Sequence, residues 1–377
     1  MKKVKILHTA DIHIGAAESF LGHSADSRRF ETLITFEKIM EMAARENVSL
    51  VALAGDIFDS NTVEPRFADA VFDKIAAFPQ IKTVFAAGNH DPLDSSSPFL
   101  LRSLPDNLYV LGVKDECIVF DDLELNVFGR SFENAYLKGE EHLGVIPPNN
   151  GYINLLVQHG ELKSDLRSDY NAITPSFVKT SKMDYIALGH VHARTEIGKI
   201  AGTYFAYCGC PEGQGFDELD QKGVYIGEIG KGECNLQFVP VARRSHIHEK
   251  IDITGVFSAE EICGKIVSLL EEKYGENYAD NLYKIELTGE IPEDFEIITA
   301  EIASRLSDRL YFVKVKDSTE FSCDYEALAL EPTLKGIFVK KMLQKIENAA
   351  PDDKASLGYA LKLGIKAFNT EVKYNED

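Results

Sequence analysis

The chain has no stretch approaching the roughly 20 consecutive apolar residues that cross a bilayer, which argues against a membrane span. Its opening, MKKVKILHTADIHIG, carries lysines but only a short apolar run before Asp11 and His13, so no secretory signal peptide is expected. Cysteine is sparse as well. Cys117, Cys208, Cys210, Cys234, Cys263 and Cys323 are scattered, and the one close pair, Cys208 and Cys210, lacks a second pair at zinc-site spacing. They read as reduced thiols of a cytoplasmic protein. Basic side chains are also in deficit: 40 Lys and Arg face 60 Asp and Glu, a net charge of −20. The excess is shared, with 24 basic and 34 acidic residues in 1–245 and 16 and 26 in 246–377. Neither part is a basic nucleic-acid module of the usual kind.

What is present is enough apolar residue, 45% over 377 positions, for one large domain and a smaller one. Short apolar runs alternate with helical patterns: VKILHTA (4–10), a helix over 26–46, LVALAG (50–55), a helix over 64–78, and TVFAAG (83–88). That alternation predicts a layered α/β sheet. Further strands are expected at 124–129, 153–158, 184–189, 203–207 and 223–229. Long loops rather than regular helices lie between them, so the later half of this sheet is expected to be mixed or antiparallel.

Composition shifts after VPVARRSHIHEK (239–250), where a β-α-β-α-β pattern runs to about residue 316. It includes SAEEICGKIVSLLEEK, whose Ser258 and Glu261 form a capping-box signature, and a helix near 294–306. Two amphipathic helices, near 325–348 and 354–368, follow around AAPDD. The expected domains are therefore a 1–245 catalytic domain, a 246–320 α+β capping domain and 321–377 C-terminal helices for partner docking.

Five apolar strands are each followed by residues that bind hard or borderline cations: Asp11 and His13; Asp56 and Asp59; Asn89, His90 and Asp91; His159; His190 and His192. Strand carboxyl ends in open α/β sheets converge on a shared crevice. In Asp-x-His and His-x-His, alternation along an extended segment puts both side chains on one side. A lone histidine beside a core strand is usually a hydrogen-bonded structural residue, and a lone Gly-Asp is usually a turn. Five such motifs in one chain are hard to explain as packing. Carboxylate, imidazole and amide donors without thiolate favour manganese, iron or zinc. Even seven of these ligands exceed what one octahedral ion uses while leaving room for substrate, but suit two ions about 3.5–4 Å apart bridged by a shared carboxylate.

DIHIG, GDIFD, GNHD, QHG and GHVH, in that order, resemble the signature series of the calcineurin-like metallophosphoesterases. LHTADIHIG and YCGCPEGQGFDELDQKGVYIGEI (207–229) are similar, more narrowly, to DNA repair exonucleases of the SbcD and YhaO type. The resemblance implies a metal-dependent DNA exonuclease and endonuclease with two divalent ions, manganese first among Mn2+, Fe2+, Zn2+ and Mg2+. It implies that Asp11, His13 and His192 hold one ion, that Asn89, His159 and His190 hold the other, and that Asp56 bridges them. His90 would sit over the scissile phosphate without ligating metal, while Asp59 and Asp91 would orient their neighbours. Implied partners are DNA, an SbcC-like or YhaN-like coiled-coil ATPase and a second copy of the chain, with no membrane. Segments 64–78 and 96–104 are the candidates for the homodimer contact. Where the family commonly reads Tyr-Pro-Gly-Ser-Pro, this chain has Tyr207-Cys208-Gly209-Cys210-Pro211, expected to be small buried replacements. Two other functions fit the metal motifs: a small-molecule phosphoesterase acting on a nucleotide or cyclic nucleotide, and a scaffold with a vestigial site. The length given to a cap and helices counts against the first, and retention of every ligand against the second.

Overall fold

The computed structural model describes residues 2–16, 18–138, 147–148, 150–164, 167–292, 295–321 and 324–369. The chain divides into two compact units, 1–247 and 248–377, so the 246–320 and 321–377 segments share one unit.

The first unit is a sandwich of two six-stranded sheets. One sheet has the order β14 (Glu233–Pro240), β13 (Gly223–Gly230), β1 (Lys3–Thr9), β2 (Leu50–Leu53), β3 (Lys82–Phe85) and β4 (Leu108–Val110). Its β1 to β4 run parallel, and β13 and β14 add antiparallel. The other has the order β11 (Gly198–Ile200), β12 (Thr203–Tyr207), β10 (Tyr185–Gly189), β7 (Ile153–His159), β6 (Leu125–Gly129) and β5 (Glu116–Phe120). Its β6, β7, β10 and β12 are parallel, with antiparallel edges.

The single sheet expected from the sequence is thus two. The strands over 124–129, 153–158, 184–189 and 203–207 form the second layer, and the 223–229 strand returns to the first. The physical reason is that these strands are apolar on both faces. Ile6, Ala52 and Val84 meet Val127, Leu155 and Ala187 in the layer between the sheets. Leu7, Val51, Leu53 and Phe85, on the opposite face, pack under α1 (Ala25–Arg45) and α2 (Pro65–Ala76). Leu156, Ile186 and Leu188 pack outward against Val178 of α4 (Pro175–Thr180). The short helix α3 (Pro98–Leu101) covers Phe85 with Phe99, ring centroids 4.2 Å apart. Truncating so buried a ring as Phe85 to alanine costs about 3–5 kcal/mol.

The second unit carries a three-stranded sheet in the order β15 (His246–Asp252), β16 (Leu282–Thr288) and β18 (Phe312–Asp317). It also has α5 (Ala259–Tyr274) and α6 (Thr299–Leu306), plus a short parallel pair of β17 (Glu290–Ile291) and β19 (Glu320–Phe321). Ser258 Oγ accepts from Glu261 N at 3.2 Å, but the Glu261 carboxylate returns to Phe257 N at 3.1 Å rather than to Ser258 N. The helix expected over 325–348 is broken into α7 (Tyr325–Ala329) and α8 (Leu334–Glu347). Pro332 disfavours helical geometry at Glu331, and Thr333 caps the new start by accepting from Gly336 N at 3.0 Å. Phe338, Met342 and Ile346 pack with Val339, Leu361 and Ile365 against α9 (Pro351–Asn369), while Leu334 and Ile337 stay exposed. The apolar side chains of this amphipathic segment therefore divide between internal packing and open surface. No helix among the described residues is long and apolar enough to cross a membrane.

Candidate metal centre at the seam of the two sheets

The first sheet supplies Asp11 and His13 after β1, Asp56 after β2, and Asn89 and His90 after β3. The second supplies His159 at the end of β7 and His190 and His192 after β10. The structure brings all eight together. Asp11, His13 and His192 each offer a ligand atom within 4.8 Å of the others, as do Asp11, Asp56 and His159, and also His13, Asp56 and His90. His159 Nε2 lies 3.0 Å from Asn89 Oδ1, and His190 Nδ1 lies 3.2 Å from the same oxygen. Asp56 Oδ2 stands 3.3 Å from His159 Nε2 and 3.9 Å from His13 Nε2, next to both sets of donors.

Local backbone holds these groups in unusual conformations. Asp11, His13, Asp56 and His190 have φ of 53°, 50°, 51° and 99°, in the left-handed region that residues with a Cβ rarely adopt. Such outliers concentrate where surrounding structure over-determines them, typically at functional sites. Here Asp11 N donates to Gly55 O at 3.0 Å, and His13 N donates to Asp56 O at 3.0 Å. Asp11 in turn accepts His190 N at 3.0 Å. Gly88 is required for close approach: a Cβ there would stand 2.2 Å from Asp56 Oδ1.

The hydrogen-bond roles fit a cation. His159 Nδ1 must donate to the Ala54 carbonyl at 2.9 Å, which turns its Nε2 lone pair toward Asn89 Oδ1 and Asp56 Oδ2, both acceptors. His192 Nδ1 donates to Glu218 Oε1 at 2.7 Å, leaving Nε2 facing His13 Nε2 at 3.2 Å. Lone pairs and carboxylate oxygens converging without hydrogen atoms between them are what a divalent ion satisfies. The field at the site likewise favours positive charge, which a proton on the His159 ring supplies when no cation does. Burial opposes charge on the His159 ring, yet Asp56 and Asp11 outweigh it and raise its pKa to about 9. Burial would raise Asp56, but the surrounding histidines, His159 first, hold it well below the usual carboxylate range. Burial, with His159 beside it, lowers His190 to about 4.

His90 is placed differently from the buried groups. Its side chain is 45% exposed, its Nδ1 donates to Asp59 O at 2.9 Å, and its ring stands 4.7 Å from that of His13. Asp59 also lies 3.3 Å from His13 Nδ1. Asp91 is fully buried and accepts four backbone N–H groups, from Asp56, Ile57, Phe58 and Gly88. It ties the turn after β2 to the turn after β3, and burial followed by the Asp56 charge pushes its pKa up to about 6.

Three residues at the centre carry no signal in the metal motifs. Glu218 orients His192 and also accepts from Cys210 Sγ at 3.1 Å and from Gln214 N at 3.2 Å. Opposing burial, the hydrogen bond from His192 holds its pKa down at about 2. Glu161 Oε1 lies 3.7 Å from His190 Nε2, and the Tyr170 ring packs over His190 at 4.8 Å. Cys208 and Cys210 are both buried, and burial pushes their thiols well above the ordinary value. A histidine with its outer nitrogen on a carboxylate is a common metal-site device, so an acidic residue in the GQGFDELDQKG stretch was the one available clue to Glu218.

A β-sandwich flanked by helices, with histidines and carboxylates gathered at the strand ends of both sheets, is the arrangement of a metallophosphoesterase fold. The calcineurin-like phosphoesterase family matches over residues 4–194, just over half of the chain, and the chain belongs to that family, whose members use divalent metals. It is 23% identical over 362 residues to the DNA double-strand break repair protein Mre11 of Methanopyrus kandleri, covering 87% of this chain and 76% of the relative. It is 25% identical over 277 residues to the SbcD component of the SbcCD nuclease of Escherichia coli K12, covering 61% and 66%. The metallophosphoesterase YhaO of Bacillus subtilis is 24% identical over 265 residues, covering 66% and 63%.

Proposed function

We propose that the protein is a DNA exonuclease and endonuclease that hydrolyses phosphodiester bonds with two divalent ions, manganese by preference. The observation that carries this reading is the position of Asp56, whose carboxylate oxygen Oδ2 lies 3.3 Å from His159 Nε2 and 3.9 Å from His13 Nε2. Asp11, His13 and His192 would hold one ion, Asn89, His159 and His190 the second, and Asp56 both. Bound there, the ions supply positive charge to the phosphate oxygens and an activated water. The chain's own residues do the rest. Glu218 and the Ala54 carbonyl fix the tautomers of His192 and His159. His90, anchored through Nδ1 to Asp59 O and 45% exposed, would contact the phosphate and the leaving oxygen.

The E. coli relative is, by its name, one component of a larger nuclease. For this chain we assign the partner as a coiled-coil ATPase of the SbcC or YhaN kind. Support comes from Leu330, Leu334 and Ile337, which are 84%, 78% and 52% exposed around α7 and α8 and suit a helix-in-groove contact. A homodimer contact through Leu100 and Leu101 of α3, 58% and 65% exposed, belongs to the same reading.

Incubating the protein and manganese with oligonucleotides, p-nitrophenyl phosphate and bis-p-nitrophenyl phosphate tests the function. Cleavage of DNA and of the diester is expected, and Asp56→Ala should abolish both and lose most bound metal while keeping a cooperative thermal transition. Turnover of nucleotides or the monoester without DNA cleavage would assign a small-molecule phosphoesterase instead. Two ions retained by Asp56→Ala would remove Asp56 from the bridging position.

A further inference from the structure

From the candidate metal centre a row of aromatic rings leads outward. His159 and His190 stand 5.1 Å apart, His190 and Tyr170 4.8 Å apart with their planes 31° from parallel, and Tyr170 and Tyr136 6.0 Å apart at 38°. Backbone pairing holds the two tyrosines in place. Leu137 bridges to Tyr170, Leu137 N donates to Asp169 O at 2.8 Å, and Asn171 N donates to Leu137 O at 2.7 Å. Glu161 N, two residues past His159, donates to Tyr170 O at 3.1 Å. The short strands β8 (Glu161–Leu162) and β9 (Ala172–Ile173) continue that pairing.

Walling His190 accounts for Tyr170, which is partly buried against it, but not for Tyr136, which is 61% exposed. A single exposed aromatic is ordinary on a protein surface. One that continues a ring row from a phosphate-cleaving centre, tilted only 38° from its neighbour and fixed by backbone pairing, is placed for a flat ligand. A nucleobase presents such a face, and stacking on aromatic side chains is how single strands are gripped without regard to sequence. The overall charge of −20 strengthens the case, because backbone neutralisation by basic residues is in short supply.

We propose that Tyr136 and Tyr170 form a stacking platform for an unpaired base of the nucleotide next to the scissile phosphate, making single-stranded ends the preferred substrate. This rests on the nuclease function proposed for the same centre and deepens it. Tyr136 is a binding residue here, and its contribution should appear in KM.

The test crosses protein with substrate. Single-stranded oligonucleotides carrying either a natural base or an abasic sugar at each of the positions flanking the cleavage point are cleaved by the native chain, Tyr136→Ala and Tyr136→Phe in manganese. For the native chain, removing the base at one position should raise KM about 10-fold, the scale of one stacked base. Tyr136→Ala should show that increase already on the natural oligonucleotide, keep kcat, and no longer discriminate the abasic one. Tyr136→Phe should behave as native. Base discrimination unchanged in Tyr136→Ala, or an equal fall of kcat on every substrate, overturns the platform alone. A native chain that hydrolyses bis-p-nitrophenyl phosphate but no oligonucleotide overturns the nuclease reading and the platform with it.

Discussion

At the scale of the residue, the side chains that converge at the candidate centre were legible because each follows an apolar strand within a few positions, where strand geometry sends it to a common edge. The groups that set those donors were harder to read. Glu218 lies 26 residues from His192 and Glu161 lies 29 from His190, across irregular segments whose path no periodicity reports. Glu218 has the clearest consequence. Outer carboxylates that orient a metal-bound histidine typically change affinity 10–100-fold when removed. Glu218→Ala should therefore weaken manganese binding by about that factor, while Glu218→Gln, which keeps an acceptor for the His192 N–H, should recover much of the loss. Calorimetric titration of both variants measures this directly, and equal, unchanged affinities would free Glu218 from the centre.

At the scale of the element, the strands expected in the two large sheets formed where the sequence placed them, but β4, β5, β11 and β14 were not anticipated and the assignment of strands to layers was missed. A run such as INLLVQ is apolar on both faces in a parallel sheet, so its sequence cannot say which sheet it joins. The element least visible in advance is the link between α1 and the turn after β12. Arg28, 1% exposed, donates to Glu18 at 3.0 Å, Glu31 at 3.0 Å, Glu212 at 2.9 Å and the Gly213 carbonyl at 2.7 Å. Arg244 completes the cluster on Glu31 at 2.8 Å. Removing one partner from a buried ionic group leaves uncompensated charge and costs about 3–5 kcal/mol. Arg28→Met should lower thermal stability on that scale. Because the 212–218 turn carries Glu218, it should also weaken metal binding, read by titration at a temperature where the variant remains folded. Native metal affinity in a destabilised Arg28→Met would show that the turn keeps its shape without the cluster.

At the scale of the whole molecule, the composition shift after 239–250 lies close to where the two units divide, while the break in the α7–α8 segment turned on the single Pro332. Charge sets the expected behaviour with DNA. With 60 acidic against 40 basic side chains, the isolated chain should bind duplex DNA weakly and lose affinity steeply with salt. Fluorescence anisotropy across about 50–200 mM salt checks this, and nanomolar duplex binding at the upper end would contradict the need for a partner. The seam itself has another implication. Asp11, His13, Asp56 and Asn89 belong to one sheet and His159, His190 and His192 to the other, so any ion gripped there rivets two layers whose shared interior is oily. Ligands that bind only the folded state raise its stability with their concentration. Loss of metal would then loosen the first unit where its two sheets meet, so scarcity of the ion is felt as fragility as well as silence.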